Sequence, residues 1–122
     1  MMNDVSKNNN KELVLQCFEL LIDNCAIDNE DITNLLDEDY CKLKFNRSKF
    51  PVLIEIDNEN EIDKYAYDKN TKQRYYKEVM NIESRKFLVS NFWYGSNGSQ
   101  EDSIMPFCEW VISKLYIKHL RK

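Results

Sequence analysis

The amino-acid sequence predicts an α+β protein, in which helices pack around a small antiparallel sheet. Apolar residues recur at helical spacing near both ends of the chain, and β-branched and aromatic residues concentrate in the middle. The 122 residues include only two glycines and two prolines, fewer than a turn-rich sandwich or a glycine-dependent phosphate loop needs. The length predicts one domain over residues 10–122, preceded by a polar, mobile tail over residues 1–9.

The first half of the chain predicts three helical segments. In "KELVLQCFELLIDNC" a wide apolar stripe predicts a core helix, with Leu13, Cys17, Leu20 and Leu21 flanked by Val14 and Phe18. Asp28 and Asn29 are good cap residues for a second, short helix. The apolar pattern resumes at Tyr40, Leu43 and Phe45, which indicates a third short helix or a helical turn.

The second half predicts the sheet and a closing helix. Pro51 disfavours helix before it, and "VLIEI" over residues 52–56 is typical of a strand. The polar residues 57–73 are predicted to form a mobile connection. Residues 74–82 and 86–93 then predict a hairpin with its turn at "ESRK", and apolar residues on both faces predict a sheet that is covered on one side and partly covered on the other. The last helix is predicted to pack on the sheet through Ile104, Phe107, Cys108, Val111 and Leu115, with Trp110 beside them.

The composition predicts a cytoplasmic protein without a membrane partner, metal or cofactor. The N-terminus lacks the apolar stretch of a secretory signal, and the four cysteines form no closely spaced pair that would bind zinc with the single histidine, His119. Carboxylate pairs such as Glu55 with Asp57 are weak signals in a chain with 21 acidic residues, and none belongs to an Asp…Glu-x-Lys nuclease arrangement. The sequence therefore predicts no catalytic residue and a protein that is not an enzyme.

Charge is segregated into blocks, although the net charge is only −4. If residues 29–49 form a helix-turn-helix, its second helix carries a basic cluster and the hairpin near Arg85 forms a wing, which would place cations against DNA. The pattern therefore predicts a winged-helix-like fold that recognises DNA. The predicted nucleic-acid-binding residues are Lys42, Lys44, Arg47, Lys49, Lys72, Arg74, Tyr75, Lys77, Arg85 and Lys86.

Two other interpretations of the charge blocks stay open. Charged runs are often solvated faces that keep a small domain in solution. Alternatively, the acidic segments form a protein-interaction surface, of an inhibitor or adaptor that imitates a phosphate backbone and binds a basic protein partner. The residues that would carry this second function are Glu55, Asp57, Glu59 and Glu61.

The aromatic residues have a structural and a functional interpretation. Trp93, Tyr94, Phe107 and Trp110 form either part of the core or a platform on which bases stack, and their neighbouring apolar stripes favour the core. Strand alternation separates Tyr75 from Tyr76, so one tyrosine is expected to be buried while its neighbour stays exposed.

The segments "YCKLKFNRSKFPVL", "RYYKEVMNIESRKFLVSNFWYG" and "PFCEW" share an order of features with a known type of module. The chain resembles, over residues 31–112, a small winged-helix-like accessory module of bacterial restriction and mobile-element proteins. The resemblance implies recognition of a nucleic acid or another target rather than catalysis. The positions that match are Tyr40, Cys41, Lys42, Phe45, Pro51, Val52, Leu53, Arg74, Tyr75, Tyr76, Trp93, Tyr94, Phe107 and Trp110.

Overall fold

The computed structural model describes residues 2–46, 50–93 and 103–120, with side chains from residue 10 onward. The α+β prediction is confirmed, since the described residues form five α-helices and a three-stranded antiparallel sheet. The elements are α1 (Met2–Asp23), α2 (Asn29–Leu35), α3 (Glu38–Phe45), β1 (Leu53–Ile56), α4 (Ile62–Ala66), β2 (Met80–Ile82), β3 (Arg85–Val89) and α5 (Ile104–Leu120). The winged-helix arrangement stays a prediction.

The sheet has the order β1-β3-β2, so that β3 lies in the centre. Leu53 lies opposite Val89 across the first pair of strands, and Ile82 lies opposite Arg85 across the second. The hairpin turn is therefore Glu83–Ser84, whose φ values of 53° and 68° are those of a two-residue turn that matches the twist of the strands. The predicted turn over residues 83–86 is too long, because Arg85 and Lys86 already belong to β3.

The predicted strand over residues 74–82 is also too long. Only Met80–Ile82 pair continuously with β3, and Tyr75 forms an isolated bridge to Ser90. The chain at Arg74 turns to other partners, since the Arg74 N–H donates to the Ala66 carbonyl. Strand propensity does not predict this outcome, because it does not show that the Ala66 carbonyl competes with β3 for the backbone N–H groups of this segment.

Helix α1 begins at Met2, within the stretch predicted as a tail. Extending an existing helix adds one hydrogen bond for each residue that is fixed, so a stable helix over residues 10–23 can be lengthened by polar residues. The mobility of residues 1–9 stays a prediction. The buried face of α1 is Val14, Cys17, Phe18 and Leu21, and the prediction that Leu13 and Leu20 belong to it is wrong because both are exposed.

The main core lies between one face of the sheet and helices α1, α2, α3 and α5. Phe107 is fully buried at its centre, with its ring centroid 5.5 Å from that of Phe18, 5.6 Å from Phe45 and 4.9 Å from Trp93. Trp110 is buried beside it, and the indole N–H of Trp93 donates to the Ser90 carbonyl at 2.6 Å. The core interpretation of these aromatic residues is confirmed, while Tyr94 lies outside the described residues.

A second, smaller cluster covers the opposite face of the sheet. It consists of Ile56, Ala66, Tyr75 and Leu88, with Phe50, Ile62 and Tyr65 packed against it. The prediction that residues 57–73 form a mobile connection is wrong, because this stretch contains a 3₁₀ turn, Glu59–Glu61, and helix α4. The Asn58 side chain caps the 3₁₀ turn, and the buried Ala66 anchors α4 to the sheet.

The acidic residues of the block at 28–39 begin helices. Asp28 and Asp31 form a reciprocal capping box at the start of α2, with N–H to carboxylate distances of 2.8 and 3.1 Å. The backbone N–H of Asp31 is the main reason that the pKa of the Asp28 carboxyl lies below its usual value. Asp37 accepts from Asp39 and Tyr40 at the start of α3. The acidic clustering here thus has a structural purpose.

The four cysteines differ in accessibility, which gives a testable order of reactivity. Cys17 and Cys41 are buried, Cys108 is half-buried and Cys25 is exposed. Burial, with the nearby Cys108 thiol, raises the pKa of Cys17 to about 11, so the thiol stays protonated and unreactive at neutral pH.

We expect one thiol of the native protein to react rapidly with a disulfide reagent such as DTNB, and this thiol is Cys25. The other three should react at least about tenfold more slowly, because the thiolate must form and be accessible. The Cys25→Ser variant should lose the fast phase, while all four thiols of the wild type react in denaturant. A fast phase that accounts for two or more thiols would contradict the burial pattern.

Candidate functional site

Helix α3 presents fewer available cations than its sequence predicts. The Lys42 ammonium lies 3.3 Å from the Glu38 carboxylate, one turn earlier on the same helix. Lys44 is exposed and forms no ion pair with any residue that the structure describes. Arg47 and Lys49 lie outside the described residues. Within the described part of this region, therefore, only Lys44 offers an unpaired positive charge.

The hairpin cations are engaged with the sheet. Arg85 donates two hydrogen bonds to Glu55 of β1, at 2.9 and 2.8 Å, and its guanidinium lies 5.1 Å from the centre of the Phe87 ring. The hydrogen bonds from Arg85 lower the pKa of the Glu55 carboxyl. Lys86 donates to the Asn81 side chain at 3.3 Å. Arg85 and Glu55, which belong to two opposing functional hypotheses, thus neutralise one another.

The acidic segment is also partly occupied by structural contacts. The Glu61 carboxylate accepts the Asp57 N–H at 2.8 Å and so stabilises the 3₁₀ turn before α4. The next acid along, Asp63, pairs with Lys77 at 3.2 Å, and Lys77 also has a raised pKa, chiefly through its hydrogen bond with Tyr67. Of the four acidic residues predicted to bind a protein partner, Asp57 and Glu59 are the exposed ones whose side chains have no described polar partner.

Arg74 is held in a fixed position beside the sheet. Its Nε donates to Asp68 at 2.9 Å, and its guanidinium lies 4.9 Å from the ring centre of Phe50 and 5.8 Å from that of Phe92. Asp68 also accepts the backbone N–H groups of Asn70 and Lys72, and the latter contributes most to the lowered pKa of its carboxyl. The tight loop over residues 68–72 therefore orients both Arg74 and the start of the following segment.

The two neighbouring tyrosines lie in different environments, as the alternation predicts. Tyr75 is buried, and its hydroxyl donates to the Pro51 carbonyl at 3.3 Å. The prediction that Tyr75 binds nucleic acid is therefore wrong for the folded protein, because its side chain belongs to the smaller core cluster. Tyr76 is half-buried, and the Lys11 ammonium lies 5.6 Å from its ring centre.

Lys11, Lys72, Arg74 and Tyr76 meet at one concave surface with a volume of about 570 Å³, which we call the basic cleft. The middle of α1, at Asn10 and Lys11, forms one wall, and residues 72–76 and 91–93 form the other. The described lining residues comprise three cations, three carboxamides and three aromatics, and none is acidic: Lys11, Lys72, Arg74, Asn10, Gln73, Asn91, Tyr76, Phe92 and Trp93. Three positively charged residues thus line this surface in a chain whose net charge is −4, and the carboxylates that pair with two of them lie outside its described lining.

The cations of the basic cleft differ in how firmly they are held. Lys11 pairs with Glu78 at 2.7 Å, which lowers the pKa of the Glu78 carboxyl. Arg74 pairs with Asp68 as described above. Lys72 is exposed and forms no ion pair with a described residue, so its ammonium is the most available charge at the cleft.

Sequence patterns found only part of the basic cleft. Lys72 and Arg74 are predicted, whereas Asn10, Lys11 and Asn91 are not. These three residues are brought to residues 72–76 only by the packing of α1 against the sheet and by the hydrogen bond from the Asn91 side chain to the Gln73 carbonyl, at 3.1 Å. No local signal marks them, since isolated polar residues within a helix and after a strand are common on any surface.

Neither a metal-binding cluster nor a membrane span is found among the described residues. No three His, Cys, Asp or Glu side chains in this part of the chain come together in a way that would hold a metal ion. No helix within the same ranges has the length and apolar character needed to cross a membrane.

Comparisons with protein-family models, with curated proteins and with solved structures give no match to this chain. The resemblance to accessory modules of restriction and mobile-element proteins therefore stays a prediction. The geometry of the basic cleft is the basis of the functional proposal.

Proposed function

We propose that this protein is a non-enzymatic nucleic-acid-binding module, which binds a single-stranded segment in the basic cleft. The observation that carries the proposal is one concavity lined by cations, aromatic rings and carboxamides, in which Lys72 forms no ion pair with a described residue and no described lining residue is acidic. Phosphate groups bind where cations gather, even in a protein with negative net charge, because the interaction depends on the local field.

The remaining lining residues favour nucleic acid over a simple anion. Tyr76 and Phe92 are half-buried at the cleft, and aromatic rings of this kind stack on bases with little dependence on sequence. Asn10, Gln73 and Asn91 offer both donors and acceptors, which is the chemistry that pairs with base edges. The cations match the phosphate of a nucleotide, the aromatic rings match the face of its base, and the carboxamides match the edge of its base.

A single strand fits better than a duplex. The volume of about 570 Å³ has the scale of a small-molecule site and suits one or two unstacked nucleotides. Duplex binding uses a row of available cations along a helix or wing, whereas the basic cleft holds one cation without a described ion pair, Lys72. A cytoplasmic location and a bacterial or phage origin among restriction-associated proteins are part of the same proposal.

The test is fluorescence anisotropy with a labelled single-stranded oligonucleotide and the matching duplex, titrated with salt. We expect single-strand binding that weakens as salt rises. Lys72→Ala should weaken it roughly three- to tenfold at low salt and lower the salt dependence by about one phosphate contact. Lys69→Ala is the matched control, because Lys69 is an exposed lysine of the same loop that does not line the cleft, and it should change affinity less than about twofold.

Two results would contradict the proposal. The absence of binding to either oligonucleotide at low salt would exclude a nucleic-acid function for this surface. Equal losses in Lys72→Ala and Lys69→Ala would show that binding follows overall charge and not the basic cleft. Arg74 is a poor probe by comparison, because its contacts with Asp68, Phe50 and Phe92 give it a structural role.

A further inference from the structure

Helix α5 is apolar on two sides. Ile104, Phe107, Trp110 and Val111 face the core and are buried. A second stripe, at successive intervals of seven, four and four residues, faces away from the core and consists of Met105, Ile112, Tyr116 and Leu120. A helix with one polar face is typical of the surface of a domain, whereas apolar residues on both sides indicate that both sides are covered.

Helix α1 extends this second stripe. Leu13 and Leu20 are exposed, and Cys17 lies between them on the same side of α1. On α5, Cys108 lies between Met105 and Ile112 in the same way. Helices α1 and α5 pack against each other, with the ring centroids of Phe18 and Phe107 5.5 Å apart, so the two stripes lie side by side along the seam between the helices. We call the combined patch the α1–α5 surface: Leu13, Leu20, Met105, Ile112, Tyr116 and Leu120.

The area of the α1–α5 surface is that of a dimer interface. Its six residues are 38–64% exposed. With roughly 200 Å² for each large side chain when fully exposed, they present about 650 Å² of accessible surface. Two such patches facing each other would bury about 1,300 Å², within the range of specific protein–protein interfaces. A patch of this size is at the upper end of what a monomer usually exposes.

Charged residues border the surface and interrupt it on α5. Glu12, Glu19 and Asp23 are exposed on α1 next to the leucines, and Glu109 is exposed on α5 between Met105 and Ile112. His119, three residues after Tyr116, is exposed on the same side of α5. In a twofold contact each copy supplies the same patch, so the imidazole N–H of one copy can donate to an acidic side chain of the other.

We propose that the α1–α5 surface joins two copies of this chain into a twofold-symmetric dimer. The basic cleft remains open in this dimer. Lys11, at the cleft, contacts Glu78 and Tyr76 on the sheet side of α1. Leu13 is two residues further on and so points to the opposite side of the helix.

Sedimentation equilibrium of the full chain tests the proposal over concentrations up to roughly 100 µM. The expected result is a wild-type mass of twice 14.7 kDa. Ile112→Glu and Leu20→Glu should each weaken dimerisation by at least about 100-fold, because a twofold contact buries the new charge twice. Leu43→Glu is the control, since Leu43 is 90% exposed on α3 and lies outside the surface.

A monomer at every concentration would overturn the proposal. So would a dimer that Leu43→Glu disrupts while Ile112→Glu and Leu20→Glu leave it intact, because the contact would then lie on another face. Far-UV circular dichroism shows whether each variant keeps its fold. We expect all three variants to fold, because the substituted side chains are exposed.

Discussion

Phe107→Ala is expected to lower the free energy of unfolding by about 3–5 kcal/mol. The Phe107 ring is fully buried, and it contacts aromatic rings from α1, α3 and the segment that follows β3. Removing it would leave a cavity where four parts of the fold meet, and the rigid neighbouring rings cannot collapse into that space. Small domains are stable by only about 5–15 kcal/mol, so this loss is large.

Urea denaturation followed by circular dichroism measures the effect. Leu43→Ala serves as the control and should change the free energy of unfolding by less than about 0.5 kcal/mol, because its side chain makes little contact with the core. If Phe107→Ala does not fold at all, Phe107→Leu retains most of the volume and should cost about 1 kcal/mol. A loss below about 1 kcal/mol for Phe107→Ala would show that the aromatic cluster is not the centre of the core.

Asp31→Asn is expected to destabilise the protein by about 2–3 kcal/mol. The Asp31 side chain is 5% exposed, and its carboxylate lies 2.6 Å from the Lys114 ammonium, whose side chain is 29% exposed. The same carboxylate accepts the Asp28 N–H at the start of α2. The substitution would leave the partly buried Lys114 without its nearest counter-ion and weaken the capping box, so the link between α2 and α5 would loosen.

A double-mutant cycle separates the ion pair from the cap. Asp31→Asn combined with Lys114→Met should cost less than the sum of the single changes, because the second substitution removes the unpaired charge. The exposed pair of Lys42 with Glu38 provides the control, and Lys42→Met should cost no more than about 0.5 kcal/mol. Strict additivity of the two changes at Asp31 and Lys114 would contradict the proposed pairing.

The two stability predictions and the two binding proposals are independent of one another. Lys72 and Lys69 lie in an exposed loop, and the α1–α5 surface is outside the core, so their substitutions should leave the unfolding transition almost unchanged. Conversely, the folded fraction of Phe107→Leu should still bind in the basic cleft. This separation allows a lost function to be distinguished from a lost fold.

Much of the fold could be predicted because its signals are local. The cap at Asp28, the strand after Pro51 and the helix around Phe107 follow from cap chemistry, β-propensity and helical spacing over a few residues. The predictions are wrong where the local structure depends on contacts between residues that are distant in sequence. Helix α4 has only five residues and lies in a charged stretch of the sequence, and it forms because Ala66 and Ile62 pack beneath the sheet.

The candidate site was predicted less well than the fold. Cationic residue types identified Lys42, Lys77 and Arg85 as ligands for phosphate, but each lies within 3.3 Å of a carboxylate oxygen in the folded chain. The acidic partner of each cation is close in space but is not always close in sequence, since Glu55 lies 30 residues from Arg85. The sequence shows the sign of each charge, whereas the folded structure determines whether that charge is paired with a neighbouring residue or available to a ligand.

The sequence by itself determined that this chain is an α+β protein with an aromatic core, because periodicity and propensity act over a few residues. Tertiary structure decided which charges remain available and which apolar residues face solvent. The rotation of α1 placed Leu13 and Leu20 outside, and the packing of the same helix brought Lys11 to Lys72 and Arg74. Helix spacing fixes which residues share a side, but the side that is buried is decided by the partners against which the helix packs.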